Sequence, residues 1–322
     1  MRTVVTGGSG VVGAALVRHL VERGDPVEVV CRSEKAAQAV EGLGAIPVAG
    51  DIEDAASLRD AFRGAELIYH VAGLNTMCPD DPIAMERINV VGSQNVIRAA
   101  AASGCRRVVY TSSAATIGEA RGTVGNEDTP HRGWYLSAYE RSKHLAEQAV
   151  LAMQADVEIV SVNPSSVQGP GRSTGTGGLI LDVLRGRLPV LVDTRMSIVD
   201  IDDCARGHLA AAERGVPGER YLLNSFTIGM REAVELLETV TGQSLAVRWV
   251  PGWTASAGAA LIEAVSRIAG RSPHVCREMV RTLRHGHAYD GSRAAVELGV
   301  TYTSADVLLS RLVGWFRSEG LL

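Results

Sequence analysis

Tyr139 and Lys143 stand four residues apart in the stretch Ser137-Ala-Tyr-Glu-Arg-Ser-Lys143. One turn of helix puts such a pair on the same face. A phenol is a poor acid near neutrality. Bringing it from about 10 to about 7 takes roughly 4 kcal/mol of extra stabilisation of the phenolate. A positive charge about 4 Å away supplies roughly that where the effective dielectric is near 20. Lys143 is placed to be that charge, and Tyr139 then reads as a proton donor or acceptor. Ser113 lies upstream, at the end of the apolar run Arg107-Val-Val-Tyr-Thr-Ser-Ser113.

A second constellation opens the chain. Arg2-Thr-Val-Val-Thr6 reads as a short buried strand, Gly7-Gly-Ser-Gly10-Val-Val-Gly13 as a loop, and Ala14 to Arg23 as a helix. Glycines at 7, 10 and 13 let the backbone turn tightly and approach a pyrophosphate at a helix N-terminus. A glycine triplet alone is weak evidence. Here the flanking strand and helix, with the next strand Val27-Glu-Val-Val-Cys31, complete one βαβ unit.

The elements that position these residues follow from the hydrophobic pattern. Strands are expected near 3–6, 27–31, 46–48, 67–71, 107–111 and 157–163, alternating with helices near 12–23, 34–41, 55–62, 83–103 and 136–154. Such alternation predicts an α/β fold with a doubly wound parallel Rossmann sheet. Ligands sit at the carboxyl ends of its strands, which brings Asp51 and Ile52 near an adenine, and Val71, Ala72 and Gly73 near a ribose or pyrophosphate. Residues 1–163 therefore read as the dinucleotide-binding domain.

Residues 164–322 read as a smaller, mostly helical substrate lobe, with segments near 198–224 returning to the sheet. Pro164 to Gly178 is rich in Gly, Ser, Thr and Pro and reads as a loop. Helices follow near 179–187, 203–214, 230–241, 254–269, 273–284, 292–298 and 304–318, and strands near 220–224 and 246–250. Ala255 to Ile262 is apolar but short, and reads as a packed helix of this lobe rather than a membrane anchor.

Composition narrows the function classes. The net charge is −4 over 322 residues, with no basic stripe, which argues against a nucleic-acid binder. No apolar run approaches a membrane span, and no signal peptide precedes the first strand. The cysteines at 31, 78, 105, 204 and 276 show no paired spacing; Cys31 and Cys105 read as buried free thiols, and a reducing, cytoplasmic compartment follows. No His/Cys/Asp cluster has metal-ligand spacing, so no metal is expected.

Taken together, these segments resemble the extended short-chain dehydrogenase/reductase superfamily, the NAD-dependent epimerase/dehydratase family. Thr6 to Gly13, Gly50-Asp51-Ile, His70-Val-Ala-Gly73, Asn89-Val-Val-Gly-Ser-Gln-Asn95, Tyr110-Thr-Ser-Ser113, Tyr139-Glu-Arg-Ser-Lys143, Asn163 to Pro170 and Ile198-Val-Asp-Ile-Asp-Asp203 fall in the family's order. The tail from Arg277 to Gly299 resembles the dihydroflavonol-4-reductase-like branch. Val11 departs from it, replacing the common aromatic of the glycine loop.

The resemblance implies roles. Ser113 would hold the substrate oxygen, Tyr139 would transfer the proton, and Lys143 would lower the tyrosine pKa and hold the nicotinamide ribose. Asn89 matches a position associated with a proton-relay water, or is a buried structural hydrogen-bonder. Val11, Val12, Pro164, Ser166 and Val167 join the cofactor contacts. Leu74, Asn75, Thr76, Ser165, Val167, Leu179 and Met196 are candidates to line the substrate pocket, with His131, Trp134 and Tyr135 at its edge. His208, inside a helical run, reads as structural. The resemblance also allows a homodimer through the helices near 83–103 and 136–154.

Arg32 follows the second strand, where an acidic residue would bind a ribose 2′-hydroxyl and an arginine suits a 2′-phosphate. With Lys35 nearby, NADP(H) is favoured over NAD(H). The expected reaction is hydride transfer between the nicotinamide and a small-molecule carbonyl or alcohol. A sugar-nucleotide epimerase with tightly bound NAD is the main rival, yet Ser166 stands where such enzymes carry a nucleotide-holding asparagine. A dehydratase would place an Asp-Glu pair after the serine, where Ala114 and Ala115 stand. A non-catalytic cofactor sensor is the third class, against which the intact Ser113, Tyr139 and Lys143 argue.

Overall fold

The computed structural model describes every residue except Ser272 and His274. In chain order the first half holds β1 (Thr3–Thr6), α1 (Val11–Glu22), β2 (Val27–Cys31), α2 (Glu34–Glu41), β3 (Ile46–Ala49), α3 (Ala55–Ala61), β4 (Leu67–His70), α4 (Pro82–Arg87), α5 (Ser93–Ala102), β5 (Arg107–Thr111), α6 (Ala138–Leu151) and β6 (Glu158–Pro164). The second half holds β7 (Ser166–Gln168), α7 (Thr176–Leu184), β8 (Val190–Val192), β9 (Arg195–Asp200), α8 (Ile201–Arg214), β10 (Arg220–Leu223), β11 (Phe226–Gly229), α9 (Met230–Thr241), β12 (Arg248–Val250), α10 (Gly252–Ile268), α11 (Arg277–His285), α12 (Ser292–Leu298) and α13 (Ala305–Ser318).

Seven strands make one parallel sheet in the order β10-β6-β5-β4-β1-β2-β3. Its central strands read as continuous apolar runs because helices cover both faces. Leu16 and Val17 of α1 share one core with Cys204 and Leu209 of α8 and with Val5 and Val29 of the sheet. Leu58, Val96, Ile97 and Ala146 close the other face over Val108 and Ile159. The order reverses between β1 and β4, which opens the crevice at their carboxyl ends.

The helix expected near 83–103 runs without interruption from Pro82 to Ala102 but is not α-helical throughout. A π-helical turn, Ile88–Gly92, separates α4 from α5. Gly92 packs tightly there, since a Cβ on it would lie 3.0 Å from Cδ1 of Ile52. The lobe beyond β6 carries more strand than its composition suggests. β7, β9 and β11 form a small mixed sheet, and β8 pairs with β12. Three- and four-residue strands are too short to display a period. Leu181, Leu237, Leu308, Leu312 and Phe316 form the core of the lobe. The helix expected near 273–284 is Arg277–His285, and position 274 of that expectation lies outside the described residues.

Two expectations need correction. Cys78 and Cys276 form a disulfide across 198 residues, while Cys31, Cys105 and Cys204 are buried free thiols. The pair escaped notice because its partners are remote in sequence; its presence removes the argument from unpaired cysteines to a reducing compartment. The apolar helix containing residues 255–262 exists, as α10, but it is not packed all round. Only Ala259 and Glu263 are buried along its 17 residues. Among the described residues no helix is long and apolar enough to cross a membrane.

Candidate active site

β1 ends at Thr6, and the chain turns into α1 through Gly7 and Gly10, whose N–H donates to the Gly7 carbonyl at 3.0 Å. Gly7 has φ +76°, and a Cβ there would sit 2.6 Å from the Ala72 backbone nitrogen. A Cβ on Gly13 would meet the Gly7 carbonyl oxygen at 2.1 Å. The loop therefore folds only with bare backbone at these two positions, and it leaves the N-terminus of α1 open to an anion. Thr6 is fixed from behind: its hydroxyl hydrogen-bonds Nδ1 of His70 at 2.7 Å, while Nε2 of His70 meets the Ser93 hydroxyl at 2.9 Å. Burial, with the Lys143 charge adding to it, takes His70 down to about 3, so the ring is neutral at physiological pH.

Ser113 and Lys143 are buried, and Tyr139 is half-buried. Ser137 caps α6 by accepting the Glu140 N–H at 3.1 Å, which sets Tyr139 and Lys143 on the first turns of that helix. The Lys143 ammonium donates to the Thr111 carbonyl at 2.8 Å and lies 5.2 Å from the centre of the Tyr110 ring. Burial brings Lys143 down to about 8, against the attraction of Glu147.

Tyr139 departs from the sequence expectation. Burial raises its phenol above the ordinary value, and the two opposing influences are hydrogen bonding with Ser113 and the charge of Arg172. The Lys143 ammonium is hydrogen-bonded to the Thr111 carbonyl, and its charge is not among the influences that lower the phenol.

A cleft of about 1180 Å³ runs along the strand ends. All the expected cofactor contacts line it: Gly7, Gly10, Val11, Val12, Gly13, Arg32, Lys35, Asp51, Ile52, Val71, Ala72, Gly73, Pro164, Ser166 and Val167. Ser113, Tyr139 and Lys143 open onto the same space, with Leu74, Asn75, Thr76, Ser165, Leu179 and Met196. Arg32 and Lys35 are exposed and have no carboxylate partner among the described residues. The hydroxyls of Ser112, Ser165 and Thr282 are buried in this cleft without a hydrogen-bond partner. A glycine cradle that any Cβ would fill, together with buried polar groups lacking partners, fits a dinucleotide and a polar-headed substrate.

Other expected residues fall elsewhere. Asn89 does not line the cleft. Its Oδ1 accepts the Leu74 N–H at 2.7 Å, and its Nδ2 donates to the Leu74 carbonyl and the Ser142 hydroxyl at 3.1 and 2.9 Å. Both amide donors are spent clamping the segment after β4 to α6, so Asn89 is a positioning residue here. His131, Trp134 and Tyr135 also miss the cleft. His131 packs against His144 at 4.2 Å, and Trp134 is exposed with the Arg132 guanidinium 4.8 Å from its ring centre. His208 is buried, bonded to the Cys204 carbonyl at 2.7 Å and the Thr111 hydroxyl at 2.9 Å.

Arg172, Arg195, Met279, Leu283, His287 and Tyr289 line the cleft although spacing along the chain gave no sign of them. Arg172 carries a buried Nε without a partner, and among the described residues its guanidinium has no carboxylate. The fold also gathers Glu119, His285 and His287, with Glu119 Oε1 taking Nδ1 of His287 at 2.5 Å. Burial alone would raise the Glu119 carboxyl; hydrogen bonds from the two histidines outweigh it and hold the group at about 2. The Tyr289 hydroxyl lies 2.9 Å from the same His287 nitrogen, so this cluster braces the cleft wall.

Comparison with known proteins identifies the family. The model of the NAD dependent epimerase/dehydratase family matches residues 3–223. A Synechocystis sp. protein named "Putative dihydroflavonol 4-reductase" is 36% identical over 98% of this chain and 94% of its own length. A "4-hydroxy-2-methyl-3-oxo-4-farnesyl-3,4-dihydroquinoline-1-oxide ketoreductase" from Stigmatella aurantiaca is 33% identical over 83% of this chain and 81% of its own. The crystal structure of gox2253 superposes with a TM-score of 0.86 at 31% identity, covering 100% of this chain and 99% of that one. The chain belongs to the NAD-dependent epimerase/dehydratase family, in its dihydroflavonol-4-reductase-like branch, and is an NAD(P)-dependent oxidoreductase of hydroxyl and carbonyl groups.

Proposed function

We propose that this protein reduces a ketone or aldehyde, or oxidises the corresponding alcohol, using NADP(H) and the group Ser113, Tyr139 and Lys143. The observation that carries the reading is the shared cleft: the three side chains open onto the space that the glycine loop delimits. We further propose that residues 1–163 hold the dinucleotide and residues 164–322 shape the substrate pocket, with β10 joining the sheet from the second part.

The bound dinucleotide would supply the hydride. Ser113 donates its hydroxyl to the carbonyl oxygen and stabilises the charge that grows there. Tyr139 delivers the proton. Its raised pKa suits that duty, because the phenol keeps its proton at neutral pH and gives it up only to an oxygen that has become strongly basic. Arg172 limits how far burial raises that phenol. Lys143, charged below about 8, is held by the Thr111 carbonyl where it can meet the nicotinamide ribose. Arg32 and Lys35 offer two cations to a 2′-phosphate.

Two features favour a reductase over an epimerase or dehydratase. The Ser166 hydroxyl is engaged within the chain, 3.2 Å from the Thr176 hydroxyl and 3.1 Å from Nε2 of Gln168, and is too short to hold a nucleotide as an asparagine would. Ala114 and Ala115 line the cleft where an acid and a base would be needed. Glu140 is already committed to Arg132 and the Leu136 N–H.

The test is NADPH consumption against a panel of ketones, aldehydes and sugar nucleotides. Consumption with the carbonyl compounds is expected; sugar-nucleotide interconversion without net consumption would overturn the reading. Arg32→Ala should cost about tenfold or more in NADPH affinity relative to NADH, as expected for a lost charge-assisted contact. An unchanged ratio would remove the NADP(H) assignment.

A further inference from the structure

Helix α10 is amphipathic the wrong way round. Its inner edge is polar: buried Glu263 accepts from Arg267 and Arg277, and the Ser256 hydroxyl receives Nη1 of Arg284 at 2.9 Å. Its outer edge is apolar. Trp253, Leu261, Val265 and Ile268 are 69%, 67%, 57% and 88% exposed, and with exposed Ala257 they follow one another at intervals of four, four, four and three residues. That spacing lays them along a single stripe. Burying an ion-paired glutamate while presenting leucine, valine, isoleucine and tryptophan to water is costly unless something apolar covers the stripe.

The surrounding charge says what covers it. Residues 248–284 hold six arginines, at 248, 267, 271, 277, 281 and 284, against two glutamates, at 263 and 278. This is a net charge of +4 within a chain of net −4. All six arginines are exposed, and Arg248, Arg271 and Arg284 have no carboxylate partner among the described residues. A second copy docking through the same stripe would bring two such cationic patches face to face. An apolar stripe with tryptophan near one end, on a helix pair rich in exposed arginines, matches the interfacial zone of an anionic bilayer, where apolar side chains enter the acyl boundary and cations meet headgroups.

We propose that the α10 face docks this enzyme on an anionic lipid surface. The placement relative to the cleft gives the docking a purpose. Helix α11 packs against α10, and Pro273, Met279, Thr282 and Leu283 line the cleft just beyond it. An apolar carbonyl compound dissolved in the lipid would thus lie beside the mouth of the site. The docking itself does not rest on the reductase reading, since it needs no turnover.

The experiment is cosedimentation of the 322-residue chain with phosphatidylglycerol–phosphatidylcholine vesicles and with phosphatidylcholine vesicles, at low and high salt. Wild type should bind the anionic vesicles and release at high salt. The variant Leu261→Gln/Val265→Gln/Ile268→Gln should partition at least about tenfold less, the loss expected for removing three exposed apolar side chains from the interface. Its thermal transition and dinucleotide affinity should match wild type. Where the triple variant is unstable, Ile268→Glu alone, near the helix end, serves with the same readout. Absence of wild-type binding, equal partitioning of wild type and variants, or indifference to lipid charge would each overturn the proposal. So would light scattering that finds a wild-type dimer dispersed by these substitutions, because the stripe would then belong to a second copy.

Discussion

The two walls of the cleft are built in different ways. The wall proposed for the cofactor is a set of strand-to-helix turns in which Gly7, Asp51 and Ala72 lie just past β1, β3 and β4, and Gly13 lies in the first turn of α1. Each contact is local, and backbone rather than side chain sets its shape. The wall proposed for the substrate is drawn together from Arg172 after β7, Met196 in β9, Leu283 in α11 and His287 beyond it. The Cys78–Cys276 bond ties one end of that assembly to the segment following β4. One wall tolerates almost no added volume; the other is defined by charge and by side chains that meet only after folding.

The comparison breaks most visibly at Gly13. Gly13→Ala drives a Cβ against a carbonyl oxygen of the same loop, so the turn must open. Dinucleotide affinity should fall by about 5- to 150-fold, the range for roughly 1–3 kcal/mol of overpacking. Titration by fluorescence checks this, and an affinity within twofold of wild type would show that the cradle is not rigid.

Arg172→Gln sharpens the contrast from the other wall. It removes one of the two influences that oppose the rise of the Tyr139 phenol. Turnover should drop by about tenfold, a fraction of what a general acid ordinarily contributes, while dinucleotide affinity stays put. A loss of affinity without a change in turnover would move Arg172 to the cofactor side.

The smallest expected effect is a pH dependence shared by both walls. Lys143 in the dinucleotide-free protein carries its charge below about 8 and loses it above, because burial has lowered its pKa. The kcat/KM for NADPH, which reports the free protein, should be level below that point, about half its plateau near pH 8, and lower beyond. A profile flat to pH 10 would exclude the ammonium from this role.

The cofactor wall was legible in the sequence for the reason it is stiff. Glycines spaced between a strand and a helix carry their geometry within a dozen positions, and β1 to β6 are apolar runs bounded by turn residues. The wall proposed for the substrate was legible in part, at Leu74, Ser165, Val167, Leu179 and Met196. Arg172 and His287 sit in segments whose placement depends on short strands and on a bond between distant cysteines, and neither leaves a local period. Chemistry assigned from spacing was also incomplete. One helical turn between Tyr139 and Lys143 does bring them to one site, but the Thr111 carbonyl captures the ammonium, a partner no sequence interval reveals. The π-helical turn between α4 and α5 was hidden for a similar reason, since the contact of Gly92 with Ile52 is tertiary.

The central claim is that the Tyr139 hydroxyl delivers the proton in a carbonyl reduction. Single-turnover consumption of bound NADPH by Tyr139→Phe, with a ketone that the wild type accepts, tests it most directly. Loss of the general acid should slow that step by about 100-fold or more while NADPH affinity is unchanged. A variant that consumes NADPH within twofold of the wild-type rate would contradict the account.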